Sequence, residues 1–159
     1  MFRFEVVVPK DFDDALNILD KDVEVVPIAG GTNLLVWVRD GKIRFKKVLD
    51  LWSLRKQLSY VVVEGDVIRV GSMTTVDELC GASELRKPPL SGLADVCATF
   101  ASPYIRSVAT VGGNIESANP LSDIAIFFLT LDAKVRLESI NGSREVSLTN
   151  YYKGMRSGS

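Results

Sequence analysis

Two pairs of adjacent glycines are the features of this sequence best suited to hold a ligand. The first pair lies in 28–35, Ile-Ala-Gly-Gly-Thr-Asn-Leu-Leu, and the second lies in 109–115, Ala-Thr-Val-Gly-Gly-Asn-Ile. A glycine pair lets the backbone come close to a ligand and turn its N–H groups toward it. Two such turns that meet in space would form a cleft of amide donors suited to a diphosphate.

The first glycine pair does not belong to the common nucleotide-binding motifs. The first pair lacks the Gly-Lys-Ser/Thr ending of a P-loop, and its adjacent glycines do not match Gly-x-Gly-x-x-Gly. Thr32 and Asn33 follow it and supply side chains that can donate hydrogen bonds. Two interpretations stay open for this segment: a phosphate site, or a tight turn between a strand and a helix.

Residues near the second glycine pair offer further binding groups, each with a structural alternative. Thr110 carries a hydroxyl and Asn114 an amide beside the pair. Asp123 suits the hydroxyls of a ribose or ribityl chain, but it also suits a helix cap or a surface charge. Phe100 could form the wall of a ring site or part of the core. Arg106 could pair with phosphate, although a surface or structural ion pair is the simpler role.

Composition excludes several classes of function. The 159 residues have a net charge of -1, with 47% hydrophobic and 25% charged residues. This balance is typical of globular proteins and gives no basic field for nucleic acid or anionic membranes. No apolar run is long enough for a membrane span. The N-terminus continues directly into strand-like sequence without a signal peptide, so we expect a cytoplasmic protein.

The chain has no histidine and only two cysteines. Ser-His and Cys-His nucleophile pairs and histidine-bearing metal sites are therefore excluded. Cys80 and Cys97 are too few for an iron–sulfur cluster, and their helix-like surroundings predict buried, reduced packing residues. Redox chemistry would then depend on a bound organic cofactor.

The elements that must position the glycine pairs form two predicted lobes, 1–55 and 56–159. The first lobe is predicted to contain strands at 2–8, 23–29 and 47–51 and helices that begin at Asp11 and Asn33. The second is predicted to contain hairpins at 60–70 and 133–148 and helices at 76–80, 90–100 and 123–131. Pro103 is expected to end the second of these helices. Together the lobes predict an α/β (α+β) fold.

Three segments closely resemble the FAD-binding subunit of molybdenum hydroxylases. They are 28–35, 104–115 and 118–125, within a resemblance that runs from Phe2 to about Gly154. The family includes the medium chain of aerobic carbon monoxide dehydrogenase and the flavin domain of xanthine dehydrogenase. The resemblance implies a two-lobed FAD-binding domain of the vanillyl-alcohol-oxidase type, with FAD extended between the lobes.

The resemblance also implies which residues hold FAD. Backbone amides of the first glycine loop would bind the diphosphate, the second loop would hold the other side, and Asp123 would reach ribityl or ribose hydroxyls. Glu116 would lie near the flavin ring, where relatives are expected to have a small or apolar residue. The full set of implied FAD contacts is Ile28, Ala29, Gly30, Gly31, Thr32, Asn33, Leu34, Phe100, Ala101, Thr110, Val111, Gly112, Gly113, Asn114, Ile115 and Asp123.

By this resemblance the protein is an oxidoreductase subunit with no catalytic side chain of its own. Electrons would pass from a molybdenum-cofactor large subunit, through the iron–sulfur centres of a small subunit, to FAD and then to an acceptor. The alternative is a non-catalytic nucleotide-binding or assembly module of such a complex. A stand-alone flavin oxidase is disfavoured, because it needs a base near the ring and the chain has no histidine.

The sequence departs from the family pattern in its length. Relatives continue into a further domain after the segment that begins at Tyr151. We therefore expect either a fragment or a split flavoprotein, the latter with the missing domain on a separate polypeptide. Weak FAD retention and self-association through exposed apolar surface would follow.

Overall fold

The structure is a computed structural model that describes residues 3–152. Helices alternate with three parallel strands in the first third of the chain, and helices with two antiparallel hairpins follow. The α/β (α+β) class predicted from the sequence is confirmed. Phe2 and the polar tail after Tyr152 lie outside the described residues, and the boundary between the two lobes stays a prediction.

The first sheet consists of three short parallel strands. They are β1 (Glu5–Val7), β2 (Val25–Ile28) and β3 (Lys47–Asp50), in the order β1-β3-β2. Helix α1 (Phe12–Lys21) connects β1 to β2, and α2 (Leu34–Arg39) connects β2 to β3. The first glycine pair therefore follows the carboxyl end of β2, which is where parallel sheets commonly bind ligands.

Helix α1 begins and packs as its sequence predicts. The side chain of Asp11 accepts a hydrogen bond of 2.8 Å from the N–H of Asp14, which satisfies one of the free donors of the first turn. Its apolar side packs on the sheet through buried Ala15. The small core of this lobe consists of Ala15, Val25, Leu49 and Leu54, with Val7, Phe12, Ile18, Leu19, Leu51 and Leu58 around it.

A connecting segment leads from the sheet into the first hairpin. A 3₁₀ turn (Leu51–Leu54) and the one-turn helix α3 (Arg55–Leu58) precede strands β4 (Val61–Glu64) and β5 (Val67–Val70). The strands pair antiparallel, with Val61 opposite Val70 and Gly65 in the left-handed region at the turn. Such a turn requires a residue that tolerates positive φ, which glycine does at no steric cost.

Five helices form the middle of the chain. Helix α4 (Val76–Gly81) is capped by Thr75 with a full capping box from Glu78, as predicted. It is followed by 3₁₀ turns at Ser83–Leu85 and Leu90–Gly92, and by α5 (Leu93–Thr99), α6 (Pro103–Arg106), α7 (Val111–Glu116) and α8 (Asp123–Thr130). Their core contains Val76, Leu79, Leu85, Leu93, Cys97, Ala109, Val111 and Ile124.

The second hairpin and a last helix return the chain to this core. Strands β6 (Lys134–Ser139) and β7 (Gly142–Ser147) pair antiparallel, and Ser139 lies opposite Gly142 at the turn. Helix α9 (Leu148–Tyr151) follows directly and buries Leu148. No helix among residues 3–152 combines the length and hydrophobicity that a membrane crossing requires.

The structure corrects two predictions. Cys80 and Cys97 form a disulfide bond, so the prediction of reduced cysteines was wrong. Helices α4 and α5 pack together and bring the two Cα atoms to 5.7 Å, a normal distance for a disulfide, which neither local sequence shows. Pro103 does not end the preceding helix, which stops at Thr99, but begins α6. At that position its missing N–H costs nothing.

Candidate functional site

A cleft of about 2340 Å³ runs along the carboxyl end of β2, past both glycine pairs and along both hairpins. Pockets for drug-sized ligands usually have roughly 300–1,000 Å³, so this cleft suits a longer molecule. It contains every residue predicted to contact FAD except Asp123. The predicted residues that line it are Ile28, Ala29, Gly30, Gly31, Thr32, Asn33, Leu34, Phe100, Ala101, Thr110, Val111, Gly112, Gly113, Asn114 and Ile115.

The first glycine pair forms an irregular loop between β2 and α2. Gly31 has a φ of 69°, a left-handed conformation that glycine adopts without strain. Asn33 precedes α2, but its side chain makes no capping hydrogen bond. Within the described residues, the N–H groups of Gly30, Gly31, Thr32 and Asn33 donate to no protein acceptor. Four successive N–H donors without a protein acceptor, in residues that line the cleft, are suited to bind an anion.

Gly30 also allows the first glycine loop to contact the segment before the second glycine pair. A Cβ atom at this position would lie 1.8 Å from the carbonyl oxygen of Val108 and 2.6 Å from its carbonyl carbon. No rotation of a side chain could relieve that overlap, because the obstacle is backbone. Only glycine therefore lets the first loop lie against the residues that precede the second pair.

The second glycine pair has a different structural role from the first. Gly112 and Gly113 lie in the first turn of α7, which Thr110 caps by accepting a 3.2 Å hydrogen bond from the Gly113 N–H. The Gly112 N–H donates to the Ser72 carbonyl at 2.8 Å. A Cβ on Gly112 would lie 2.8 Å from that same oxygen, so this glycine permits close backbone packing.

A short antiparallel pairing holds the second loop in place. Thr75 and Thr110 form an isolated β-bridge, and both are buried. The Val76 N–H donates to Ala109 and the Val111 N–H donates to Thr74, at 2.8 and 2.9 Å. The segment before α4 therefore fixes the start of α7.

Glu78 in turn fixes the segment that precedes α4. Its carboxylate accepts hydrogen bonds from the Thr75 N–H at 2.9 Å, from the Ser59 hydroxyl at 2.9 Å and from the Arg55 guanidinium. Burial alone would raise the pKa of Glu78, but these hydrogen bonds outweigh it and lower the pKa to about 2. Arg55 also lies over the ring of Trp52, 5.0 Å from its centroid.

Asn114 presents one polar group to the cleft. Its side-chain oxygen accepts a hydrogen bond from the Ser122 hydroxyl, so that oxygen is engaged within the protein. The side-chain NH₂ has no hydrogen bond to another described residue, and a primary amide nitrogen is a donor only. The Asn114 amide can therefore donate to an oxygen-rich ligand, and its contact with FAD stays a prediction.

Phe100 and Ala101 lie where α5 ends. Phe100 is half-buried and packs against the helical core, and it also lines the cleft, where its role as the wall of a ring site stays a prediction. Ala101 has a φ of 42°, a conformation that alanine rarely adopts. Arg106 donates to the Phe100 carbonyl at 2.8 Å, so its guanidinium braces this turn.

Asp123 is the predicted site residue that the structure places elsewhere. It is the first residue of α8, which Ser122 caps, and it is exposed. It lines a shallow pocket with Asp95 and Thr99 on another part of the surface. Its contact with ribityl or ribose hydroxyls stays a prediction without support from this geometry.

The sequence placed Glu116 near the site through the family resemblance, but it did not identify the partner of Glu116, Tyr151. Tyr151 donates a hydrogen bond from its hydroxyl to Glu116, and both residues line the cleft. The spacing of Glu116 from Gly113 on one helix was a usable signal, since residues three apart share a helix face. Tyr151 is 35 positions from Glu116 and carried no such signal.

The cleft fits an extended dinucleotide better than a metal or a small substrate. Among the residues that the structure describes, no group of three or more His, Cys, Asp or Glu side chains could hold a metal ion. The first loop supplies anion donors without a lysine or arginine, and Thr110 and Asn114 also line the cleft. FAD, with a central diphosphate between two ring systems, matches this set of groups.

Comparisons with known proteins give the same result. The family described as FAD binding domain in molybdopterin dehydrogenase matches residues 2–158. The nicotinate dehydrogenase FAD-subunit of Eubacterium barkeri is 33% identical over 156 residues, which cover 97% of this chain and 52% of that protein. The xanthine dehydrogenase FAD-binding subunit of Escherichia coli O157:H7 is 31% identical over 141 residues, covering 89% and 48%.

A solved structure of carbon monoxide dehydrogenase from Hydrogenophaga pseudoflava matches this fold with a TM-score of 0.89 at 26% identity. The match covers 96% of this chain and 53% of that one, so the chain spans about half the length of these relatives. FAD is the cofactor for which the family is described. Because the family model covers nearly the whole chain and both glycine pairs line one cleft, this protein belongs to the FAD-binding domains of molybdopterin dehydrogenases.

Proposed function

We propose that this chain binds FAD in the cleft between its two lobes and transfers electrons as the flavoprotein component of a molybdenum hydroxylase. The observation that carries this proposal is the row of four N–H groups from Gly30 to Asn33, which have no acceptor among residues 3–152. These residues are partly exposed, and successive backbone N–H groups of a loop that have no protein acceptor are suited to bind an anionic ligand. The diphosphate of FAD supplies the acceptors.

The residues around the first loop bind and orient the cofactor. The N–H groups of the loop hold the diphosphate, and Ile28 and Leu34 flank it. Thr110 and Asn114 bind from the side of the second loop. Phe100 and Ala101 form part of the wall that excludes water from the rings, since both line the same cleft.

FAD, when bound, supplies the electron-transfer chemistry, because it accepts and releases electrons that no side chain here could carry. The protein contributes position and environment. No residue needs to act as a general acid or base. The absence of histidine from the sequence is consistent with such a role.

The partners are part of the proposal. Relatives are named as subunits or medium chains of dehydrogenases, so we propose that this chain works with a molybdenum-cofactor large subunit and an iron–sulfur small subunit. The proposal also includes a separate polypeptide that carries a C-terminal flavoprotein domain. Self-association as a homo-oligomer and a cytoplasmic location complete the proposal.

A binding titration followed by reconstitution tests the function. FAD should bind the purified 159-residue chain with quenching of flavin fluorescence, and ADP should compete because it carries the diphosphate. Mixing the FAD-loaded chain with the cognate subunits and their substrate should bleach the flavin absorbance. No binding of FAD or ADP would overturn the proposal. Binding without bleaching would favour the alternative, a non-catalytic nucleotide-binding module.

A further inference from the structure

The Cys80–Cys97 disulfide closes a loop of chain that forms part of the cleft wall. The bond joins the end of α4 to α5, and the chain between the two cysteines passes through two 3₁₀ turns. Seven of the eight residues from Ser83 to Leu90, here named the wall segment, line the cleft, and Arg86 is the exception. The disulfide therefore ties together the two ends of a loop that a ligand in the cleft would meet.

The wall segment has few other restraints. Its backbone hydrogen bonds are local, as from the Leu85 N–H to Ala82 and from the Leu90 N–H to Lys87. Leu85 is buried in the helical core and Leu90 packs against that core. A covalent tie between the ends of the loop therefore adds a restraint that the local hydrogen bonds do not supply.

The bond is open to thiol exchange from one side. Cys97 is buried, whereas Cys80 is partly exposed. A thiolate of a dithiol reductant attacks the Cys80 sulfur, and the Cys97 sulfur leaves and takes up a proton. The second thiol of the reductant then resolves the mixed disulfide. Two electrons and two protons pass to the cysteines, which become thiols, and the reductant becomes a disulfide.

We infer that the Cys80–Cys97 pair is a redox site that sets the affinity of the cleft for its cofactor. The disulfide form holds the wall segment in place and binds FAD more tightly than the dithiol form, because a loop that is already ordered loses less entropy on binding. This inference rests on the proposed function, since it concerns the same cleft. Disulfides in reducing compartments are usually catalytic or redox-sensing, so the proposed cytoplasmic location suits this role.

The first test compares dissociation constants for FAD without any reductant, so that no added thiol meets the flavin. Cys80→Ala removes the bond at a partly exposed position and leaves Cys97 in the core. It should weaken FAD binding by about 10-fold, the size expected when ligand binding must also order a loop. Gly81→Ala is the matched control, because a Cβ there meets nothing within 4 Å and the bond stays intact. Equal affinity of wild type and Cys80→Ala would overturn the inference.

The second test asks whether the change is reversible. Wild-type protein is reduced with dithiothreitol, freed of the reductant by gel filtration under argon, and then titrated with FAD. It should bind like Cys80→Ala, and reoxidation with oxidised glutathione should restore the original affinity. Cys80→Ala should respond to neither treatment. An affinity that reoxidation does not restore would show that the pair is not a redox switch.

Limited proteolysis separates a local effect on the wall segment from general loosening of the fold. Arg86 is exposed within the segment, and trypsin can cleave the bond between it and Lys87. Reduction should accelerate this cleavage, while cleavage after Lys42, which is exposed and lies outside the loop, should keep its rate. Equal acceleration at both sites would overturn the inference.

The inference and the proposed function fail in different ways. FAD that binds equally well in both thiol states overturns the redox site and leaves the proposed function standing. If neither form of the chain binds FAD, the proposed function falls and the inference with it.

Discussion

The carbonyl oxygen of Val108 lies 1.8 Å from the position that a Cβ atom on Gly30 would occupy. The first glycine of the cleft is therefore required by the close packing of its loop against the backbone at Val108. The two glycines of the first pair thus have different structural reasons. Gly31 has a positive φ, and Gly30 avoids a clash with the backbone at Val108.

Gly30→Ala should lower the free energy of unfolding by about 3 kcal/mol, because the backbone around Val108 must move to admit a methyl group. It should also weaken FAD binding by displacing the loop donors. Urea unfolding and an FAD titration measure the two effects. Gly81→Ala is the matched control, since a Cβ there meets nothing within 4 Å. Equal stability of the two variants would show that the lobes do not meet at Gly30.

Glu78→Gln should destabilise the protein at neutral pH, since the charged carboxylate accepts hydrogen bonds from Thr75, Ser59 and Arg55. The pKa of Glu78 is lowered in the folded state from 4.5 to about 2. Its contribution is therefore fully present above pH 4.5 and is lost as the pH falls toward 2. Urea unfolding at several pH values should show the difference from wild type shrinking across that window. A difference independent of pH would contradict the role of the charge.

Ala118→Gly should stabilise the protein by about 1 kcal/mol, because Ala118 has a φ of 46° after the end of α7 and glycine adopts this conformation without strain. Ala94→Gly provides the opposite comparison in the exposed part of α5, where it should cost about 1 kcal/mol. Thermal unfolding of both variants measures the effects. A loss of stability in Ala118→Gly would show that the left-handed conformation is not strained.

Reduction of the Cys80–Cys97 disulfide should lower the free energy of unfolding by about 3 kcal/mol, the effect expected for cross-linking residues 17 positions apart. Urea unfolding with and without dithiothreitol measures it. The double variant Cys80→Ser, Cys97→Ser should be insensitive to the reductant. Peptide mapping without reduction should recover the cross-linked pair, and recovery of two free thiols would contradict the bond.

The local sequence predicted most of the secondary structure. Asp11, Thr75 and Ser122 each cap a helix where the pattern placed one, because a cap depends on residues within a single turn. The second glycine pair was predicted to be a loop but forms the first turn of α7. Glycine disfavours helices, and here the pairing of Thr110 with Thr75 overrides that preference.

The parts that the sequence did not predict depend on contacts between distant segments. Cys80 meets Cys97 because two helices pack together, and Tyr151 meets Glu116 because α9 returns to α7. Nothing near these residues in the sequence marks their partners. Asp123 was chosen for its distance along the chain from the second glycine pair. Distance along the chain does not determine which way a residue faces in the fold, and Asp123 lines a different pocket.

The order of strands in the first sheet has a consequence for synthesis of the chain. Because β3 separates β1 from β2, no strand pairing in this sheet can form until the ribosome has released residues through Asp50. The loop at Gly30 can pack against Val108 only after that later residue has also been translated. The cleft is thus completed only after both glycine segments have been translated.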